Sequence, residues 1–565
     1  MKRILLFTLI LTAALTLPAQ VNMDSIKQVF HEKIAKKMKK GKVIGASVAV
    51  VSSEGILWMD HFGYADEEAE KPVTKETLFG LGSVTKIFTG TSVMQLADQG
   101  KVDIDAPFKD YLASFNMRGD ATGVTAKNIM THHSGLPSDI FKGMFSNNPE
   151  NYKVVVDYIN KEYLAGKPNQ IRAYSNPGYT LLGHMIAEVS GMEYDQYVTK
   201  NILEPIGMHS SAFNALDKAS LTYDNKGEFQ KDVLLRDLPA GGLFSSTNDM
   251  SKFLMAYMNR SEILLKETTY EQILQSQHPN NPLDFSKEFA LGWSMSQKPY
   301  AGDIFSHTGT TLYFNAAMAF SPKADIGVIV LTNSDKGGRI YREANNIIES
   351  IAKAKGLEKE EQKDLSDLGN KQRIEVDPSE LAKYVGDYVA PGAYINVYQK
   401  KKKLFMKLQG LKVELIPVAE NSFLPKIVLL KILPIKLSDN RMHFENVGGY
   451  DLMTNSEEGS EKEMMAMKLP SQNISSDWKS RTGEYDIKQL LDGEMKFFQN
   501  YQLIERDGLL LLAFEQATNG QKIEMALEII SDSRAKVAGL GRYAGQSVTY
   551  ENGVLRAFGI ELEKK

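Results

Sequence analysis

The chain contains no cysteine among its 565 residues. This absence excludes disulfides, cysteine-bearing zinc sites, iron–sulfur clusters and thiol catalysis. It also excludes a lipid anchor on an N-terminal cysteine. The protein must therefore be held together by buried surface alone, and a chain of this length can bury enough of it.

An excess of charge of either sign is also lacking. The chain has 66 basic and 70 acidic residues, for a net charge of −4, so we expect no general attraction to nucleic acid or to an anionic membrane. The hydrophobic share of 43% and charged share of 24% are ordinary for globular proteins and exclude wholesale disorder. At roughly 150 residues per domain, the length allows two to four domains.

Long apolar runs are scarce. A basic start at residues 1–3, an apolar run over 4–17 and the small residue Ala19 predict a secretory signal peptide over residues 1–20. The alternative, a membrane anchor, is disfavoured because the run is shorter than the ~20 residues needed to span a bilayer. The later apolar stretch, residues 424–437, is interrupted by proline and lysine and predicts strands. We therefore expect an exported protein, periplasmic or extracellular, with no stable membrane span after signal removal.

Residues 21–355 have a mixed pattern that predicts an α/β (α+β) domain. Strands are expected at both ends of this stretch and a helix from about Ser83 to Gly100, with residues 104–290 mostly helical and cut by loops. The expected strands are 44–51, 56–62, 290–295, 303–307, 312–320 and 326–331, and the expected final helix is 338–354. This order predicts a sheet assembled from distant parts of the sequence, with an inserted helical lobe.

The rest of the chain changes in character. Residues 356–376 are charged and predict a linker. Residues 377–565 show short alternating strands between turn signals, among them a lysine run at 400–403, and predict an all-β, barrel-like region. Residues 384–388 and 481–485 resemble each other, which suggests two related β units, 377–470 and 471–565.

The strongest chemical signal is Ser83-Val84-Thr85-Lys86. Residues three apart share a helix face, so Ser83 would lie beside the Lys86 ammonium. A helix N-terminus also offers free N–H groups and partial positive charge, which favour an oxyanion. Taken alone, the pattern is also compatible with a helix cap followed by a surface lysine.

Two further motifs follow in order. Tyr174-Ser175-Asn176 is expected in a loop between helical segments, and His307-Thr308-Gly309, followed by Thr310, on a strand. With the flanking stretches 78–82, 130–137, 179–192 and 239–243, these motifs resemble the class C β-lactamase-related serine hydrolase family. That family includes penicillin-binding proteins, D,D-carboxypeptidases, D-aminopeptidases and esterases. The similarity covers about residues 25–350 and implies a two-lobed fold, an antiparallel sheet flanked by helices and a helical lobe, with the active site between the lobes. The β-rich region resembles lipocalin-like extensions sometimes appended to this family.

The resemblance implies a role for each motif residue. Ser83 would be the nucleophile that forms an acyl-enzyme, and Lys86 would help to activate it. Tyr174 would be the general base, which needs a neighbouring cation at neutral pH. Asn176 would hold Lys86 and bind the substrate amide.

The strand motif would complete the site. The backbone N–H groups of Ser83 and Thr310 would form the oxyanion hole, and His307, Thr308 and Gly309 would line the strand side of the cleft. Many true β-lactamases have lysine where this chain has His307. This departure favours a D-peptidase over efficient antibiotic hydrolysis, and leaves open whether a protonated His307 anchors a substrate carboxylate.

Other catalytic classes find little support. No G-x-S-x-G or H-E-x-x-H pattern is present. The adjacent pair His132-His133 is expected to support the cleft and not to bind metal. We expect no cofactor, no metal and no nucleic-acid partner.

The sequence leaves several functions open. The leading hypothesis is a serine hydrolase acting on D-amino-acid-containing peptides. The alternatives are a β-lactamase or a small-ester esterase, and a penicillin-binding sensor without turnover. For residues 377–565 the alternatives are a module that shapes the cleft and an independent ligand-binding or wall-binding module.

The change of pattern after the linker makes a testable prediction. If the two regions have separate cores, deletion of residues 377–565 leaves a soluble first domain, as judged by gel filtration. Aggregation of the truncated protein would show instead that the regions share a core.

Overall fold

The computed structural model describes residues 22–360, 372–408, 411–427, 435–436, 440–457, 462–517 and 520–565. The predicted signal peptide lies outside the described residues, and so do residues 361–371 of the predicted linker. No helix within the described ranges is long and apolar enough to cross a membrane.

A seven-stranded antiparallel sheet forms the centre of the first region. Its strands, in spatial order, are Ser294–Lys298, Gly302–Thr310, Asn315–Ser321, Ile326–Thr332, Gly45–Ser52, Gly55–Asp66 and Lys71–Pro72. Ala46 pairs with Thr332 and Val51 with Gly327, so strands from opposite ends of this region are neighbours. The expectation of a sheet assembled from distant sequence is therefore confirmed.

Alternating side chains of the strand Gly45–Ser52 enter two separate cores. Val48 and Val50 pack on one face, in a cluster with Ile347 of the helix Arg342–Ala354. Ala49 and Val51 point to the other face, toward the core that continues into the helical lobe. This alternation is what a strand buried on both faces requires.

The helices and small sheets around the central sheet differ in part from the sequence pattern. The α-helices are Met23–Gly41, Thr85–Asp98, Ala126–Met130, Val155–Ile159, Asn176–Ser190, Tyr194–Val198, Leu238–Gly241, Thr247–Met258, Glu267–Ile273, Arg342–Ala354 and Ser476–Ser480, with a π-helix at Thr199–Leu203. The 3₁₀ helices are Gly82–Val84, Phe108–Asp110, Tyr152–Val154, Pro282–Asp284, Asp335–Ile340 and Glu380–Tyr384. Short strands pair as Phe79–Gly80 with Leu243–Ser245 and Ala212–Phe213, Phe145–Ser146 with Leu234–Leu235, and Thr222–Tyr223 with Phe229–Gln230. The prediction that residues 104–290 are mostly helical was wrong, because buried loops and short strands fix much of this lobe.

The β-rich region forms two closed eight-stranded barrels. The ring of the first barrel is Gly386–Ala390, Ala393–Lys400, Lys403–Leu408, Leu411–Ala419, Ser422–Ile427, Asn440–Val447, Tyr450–Glu457 and Glu463–Lys468, with Ile435–Lys436 paired outside the ring. The second barrel is Gly483–Ile487, Phe498–Arg506, Leu509–Gln516, Lys522–Ser531, Arg534–Val537, Ser547–Glu551, Val554–Ala557 and Ile560–Lys564. The prediction of a barrel-like, all-β region is confirmed.

The two barrels begin in the same way. The Tyr388 hydroxyl donates to the carbonyl four residues earlier at 3.1 Å, and the Tyr485 hydroxyl does the same at 2.5 Å. In each barrel a lysine of the last strand, Lys468 or Lys564, donates to a carbonyl just before the first strand. The sequence echo at these positions thus has a structural counterpart.

The second barrel shares its core with the first region. Phe141 and Met144 belong to the same buried cluster as Tyr485, Phe498 and the barrel interior. The Phe141 N–H donates to the Phe558 carbonyl at 2.9 Å. This shared core changes the expectation for the truncated protein: loss of residues 377–565 exposes apolar surface on the first region, so we now expect aggregation.

The shared core predicts a large effect at Phe141. We expect Phe141→Ala to lower the free energy of unfolding by about 3–5 kcal/mol, because the ring leaves a cavity between the barrel and the first region. Denaturant unfolding measures this, with Phe229→Ala, which removes an exposed ring, as the control expected within about 0.5 kcal/mol of the parent. Equal behaviour of the two variants would contradict a shared core.

Candidate active site

Ser83 and Lys86 lie side by side at the start of a buried helix. Ser83 belongs to the 3₁₀ turn Gly82–Val84, and the α-helix Thr85–Asp98 follows directly. The Lys86 Nζ atom is 3.1 Å from the Ser83 Oγ atom. The α-helix thus begins two residues later than predicted, but the spacing of three still places both side chains together.

Lys86 is fully buried, and three acceptors surround its ammonium group. Nζ donates to Ser83 Oγ, to Asn176 Oδ1 at 2.8 Å and to the Ala240 carbonyl at 2.7 Å, which matches its three hydrogens. Burial lowers the pKa of Lys86, while interactions with Tyr174 and Asp139 oppose that shift. The reading of Lys86 as a surface lysine is therefore excluded.

Tyr174 lies next to the same ammonium group. The Lys86 Nζ atom is 4.9 Å from the centroid of the Tyr174 ring, and the His132 ring packs against Tyr174 with centroids 4.0 Å apart. The Ser175 N–H donates to His132 Nδ1 at 3.1 Å. Burial holds the pKa of His132 well below its usual value, so a neutral imidazole supports the tyrosine.

The structure corrects the predicted position of Asn176. Asn176 is the first residue of the helix Asn176–Ser190, and Ser175 caps that helix by accepting a hydrogen bond from the Gly178 N–H at 3.0 Å. The helix start therefore fixes the Asn176 side chain. Its Oδ1 faces Lys86, and its Nδ2 donates to Asp139 Oδ1 at 2.6 Å.

The strand Gly302–Thr310 packs directly against the Ser83 turn. A Cβ on Gly309 would lie 1.9 Å from the Leu81 carbonyl oxygen and 2.8 Å from the Ser83 nitrogen. Gly82 has φ +50°, and a Cβ there would lie 2.6 Å from the Thr310 nitrogen. The two backbone segments that carry the candidate oxyanion donors, the N–H groups of Ser83 and Thr310, are therefore in contact.

The surroundings of His307 favour its neutral form. Desolvation, followed by the nearby Lys86 charge, lowers the pKa of His307 to about 3. Its Nδ1 lies 2.8 Å from the Thr308 carbonyl oxygen and donates to it. The possibility that a protonated His307 anchors a substrate carboxylate is therefore not supported by this environment.

Sequence reasoning missed several residues of the site. Tyr341 donates a hydrogen bond to the Gly309 carbonyl and lies 2.8 Å from Asn315 Oδ1. Asp139 is almost fully buried, and Arg542 of the second barrel donates to its Oδ2 at 2.9 Å. No motif in the sequence signals this contact, because 403 positions separate the two residues.

A separate cavity of about 700 Å³ lies elsewhere, with Tyr111, Lys153 and His184 among its lining residues. None of the residues that line it belongs to the Ser83, Tyr174 or His307 motif, although His184, Glu188 and Val189 lie in the flanking stretch 179–192. We therefore assign the candidate active site to the Ser83 cluster and not to this cavity.

Comparison with known proteins agrees with this geometry. Residues 30–353 match the Beta-lactamase family model, which is more than half of the chain. The chain therefore belongs to the beta-lactamase family, whose members are serine hydrolases that act through an acyl-enzyme. This confirms the family resemblance inferred from the sequence.

Among curated relatives, the chain is 26% identical over 334 residues to Protein flp of Staphylococcus aureus (strain MW2), covering 56% of this chain and 64% of that protein. It is 25% identical over 414 residues to penicillin-binding protein 4* of Bacillus subtilis (strain 168), covering 68% and 88%. The chain thus spans less than two thirds of the length of Protein flp.

Solved structures show the same fold. The octameric penicillin-binding protein homologue from Pyrococcus abyssi is 23% identical with a TM-score of 0.53. A crystal structure of SurE is 18% identical with a TM-score of 0.57. Each match covers 78% of this chain and all of the other.

The close packing of Gly309 makes a sharp prediction. We expect Gly309→Ala to reduce labelling by a serine-directed fluorophosphonate by about a hundredfold or more, because the added carbon forces the strand away from Ser83 and its N–H donor. Gly166→Ala is the matched control, since its Cβ would meet no atom within 4 Å. Similar labelling of the two variants would contradict the assigned packing.

The lowered pKa values of His278 and His307 predict acid sensitivity. Desolvation lowers the pKa of His307 to about 3 and that of His278 to about 4. In the unfolded chain these two histidines bind protons near pH 6.5, whereas in the folded chain they bind them only near pH 3–4. The free energy of unfolding therefore falls as the pH drops between these values. We expect His307→Gln to flatten the dependence of melting temperature on pH in this window, and an unchanged slope would argue against a neutral His307.

Proposed function

We propose that this protein hydrolyses amide bonds of D-amino-acid-containing peptides through an acyl-enzyme on Ser83. The observation that carries the proposal is the 3.1 Å contact between the Ser83 hydroxyl and the buried Lys86 ammonium, beside the Tyr174 ring. A hydroxyl next to a fixed cation and a phenol can lose its proton as it attacks a carbonyl.

The proposed reaction has two steps. Ser83 Oγ attacks the carbonyl carbon while Tyr174 accepts its proton, and the N–H groups of Ser83 and Thr310 stabilise the oxyanion. Tyr174 then returns the proton to the leaving amine, and the acyl-enzyme remains. Attack by water, activated by the same phenol, releases the acid and restores Ser83.

Asn176 and Lys86 hold these groups in position during both steps. Asn176 Oδ1 and the Ala240 carbonyl oxygen both accept hydrogen bonds from the ammonium, at 2.8 and 2.7 Å. We propose that the positive charge of Lys86 stabilises the Tyr174 phenolate that accepts the Ser83 proton, because opposite charges in a water-poor site attract strongly.

A D-peptide substrate is favoured over an antibiotic by two features. The strand motif carries His307, whose neutral form is favoured, in place of the fixed cation found in many β-lactamases. The N-terminal pattern predicts export, which would bring the protein to a cell wall. The similarity to penicillin-binding protein 4* also supports an amide as the substrate, since a penicillin is a cyclic amide.

A substrate panel tests the proposal. Hydrolysis would be measured with D-alanyl-D-alanine peptides, D-aminoacyl anilides, nitrocefin and short-chain nitrophenyl esters. Turnover of the D-peptides above the other compounds is the expected result. Preference for nitrocefin or the esters would favour the β-lactamase or esterase alternative, and a single burst equal to the enzyme concentration would favour a penicillin sensor.

Substitution of Ser83 tests the nucleophile directly. We expect Ser83→Ala to lose hydrolysis at least about a thousandfold and to lose labelling by a fluorescent penicillin. Ser53→Ala is the control, because the Ser53 hydroxyl donates to Asp325 in a turn remote in sequence from the motifs. Retained labelling of the Ser83 variant would remove this residue from the mechanism.

Substitution of Tyr174 tests the base. Tyr174→Phe is expected to slow acylation by about 10²–10⁴-fold, since a positioned general base contributes that much. The melting temperature should change little, because the ring and its packing on His132 remain. Tyr64→Phe, at a partly exposed tyrosine, is the matched control, and equal acylation rates for the two variants would rule out a base role.

A further inference from the structure

A loop of the second barrel reaches the candidate active site. Residues 538–546 connect the strands Arg534–Val537 and Ser547–Glu551. The Tyr543 N–H donates to Ser138 Oγ at 2.8 Å, and Gln546 Nε2 donates to the Asp139 carbonyl at 3.0 Å. These bonds fix the loop on the short segment that also carries the Asp139 side chain.

Asp139 links this loop to the catalytic cluster. Only 1% of its side chain is exposed, and its two oxygens are bound from opposite directions. Oδ1 accepts from Asn176 at 2.6 Å and Oδ2 accepts from Arg542 at 2.9 Å. The buried carboxylate therefore holds the guanidinium in a fixed position.

Arg542 and Lys86 both lie close to the Tyr174 ring. The Arg542 guanidinium carbon is 5.2 Å from the centroid of the Tyr174 ring, and the Lys86 Nζ atom is 4.9 Å from it. The Arg542 side chain is still 47% exposed. A guanidinium has five N–H donors, and the ion pair with Asp139 uses one of them, so donors remain for a ligand.

Other basic groups also lie near Tyr174, among them Arg172, whose guanidinium carbon is 5.7 Å from the ring centroid. Lys86 is buried among its three acceptors. Arg172 packs its guanidinium on the Phe289 ring at 4.3 Å, and the surroundings of His307 favour its neutral form. Of the two arginines beside the Tyr174 ring, Arg542 of the second barrel is the more exposed.

We propose that Arg542 binds the carboxylate of the substrate and so selects peptides that end in a free carboxylate next to the scissile amide. This inference rests on the proposed function and narrows it from D-peptides in general to carboxypeptidase-type substrates. A planar guanidinium suits a carboxylate, because two parallel N–H groups can bind its two oxygens.

Binding to the inactive protein tests the inference separately from turnover. In the Ser83→Ala background, calorimetry would compare N-acetyl-D-alanyl-D-alanine with its C-terminal amide, which differ only in the charged group. We expect the acid to bind more tightly, and Arg542→Gln to weaken acid binding roughly ten- to a hundredfold with little change for the amide. Hydrolysis by the Ser83-intact protein decides the proposed function independently.

Arg118→Gln is the matched control. Arg118 also pairs with the second barrel, through Glu551 at 2.7 Å, so this variant removes a solvent-exposed ion pair between the same two regions. Its acid-to-amide ratio should equal that of the parent, and melting curves of both variants check folding. Equal loss of acid and amide in Arg542→Gln overturns the inference. So does a Ser83→Ala protein that shows no preference for the acid, a result that requires no variant at position 542.

Discussion

Burial of the Lys86 ammonium is the constraint on which the site depends. A charge removed from water is tolerated only when it is paired and hydrogen-bonded. Its three acceptors, Ser83, Asn176 and Ala240, come from three separate segments of the chain. The helices Thr85–Asp98, Asn176–Ser190 and Leu238–Gly241 must therefore meet before the ammonium is satisfied. The same requirement that stabilises the charge also positions Ser83, the proposed nucleophile.

The polar network continues from this ammonium into the second barrel. Asn176 joins Lys86 to Asp139, and Asp139 joins Arg542. Because Asp139 is buried, loss of its cation partner Arg542 would leave the carboxylate without compensation in a poorly solvated place. Docking of the second barrel therefore also affects the electrostatic balance around Lys86. The second barrel therefore contacts the candidate active site directly and is more than an appended module.

The two barrels share a design but contact different parts of the molecule. Both begin with a tyrosine that bonds the carbonyl four residues earlier. The second barrel shares a core with Phe141 and Met144 and extends residues 538–546 toward Asp139. The first barrel packs Leu452 and Met467 against Leu283 of the first region and Val389 against Leu509 and Leu511 of the second barrel. The two barrels therefore have similar architecture but different contacts, and the second reaches Asp139.

Much of the fold and of the motif arrangement was determined by local sequence. The spacing of Ser83 and Lys86, alternating strands at both ends of the first region and the repeated turn signals of the β-rich region reflect periodicities of the backbone. Tertiary structure alone decided that Asn176 begins a helix, that the neutral form of His307 is favoured and that Asp139 lies between Asn176 and Arg542. These properties depend on burial and on contacts between residues far apart in the chain. Neither is encoded in a short stretch of sequence, because the charge state and partners of a side chain are set by whatever the fold packs against it.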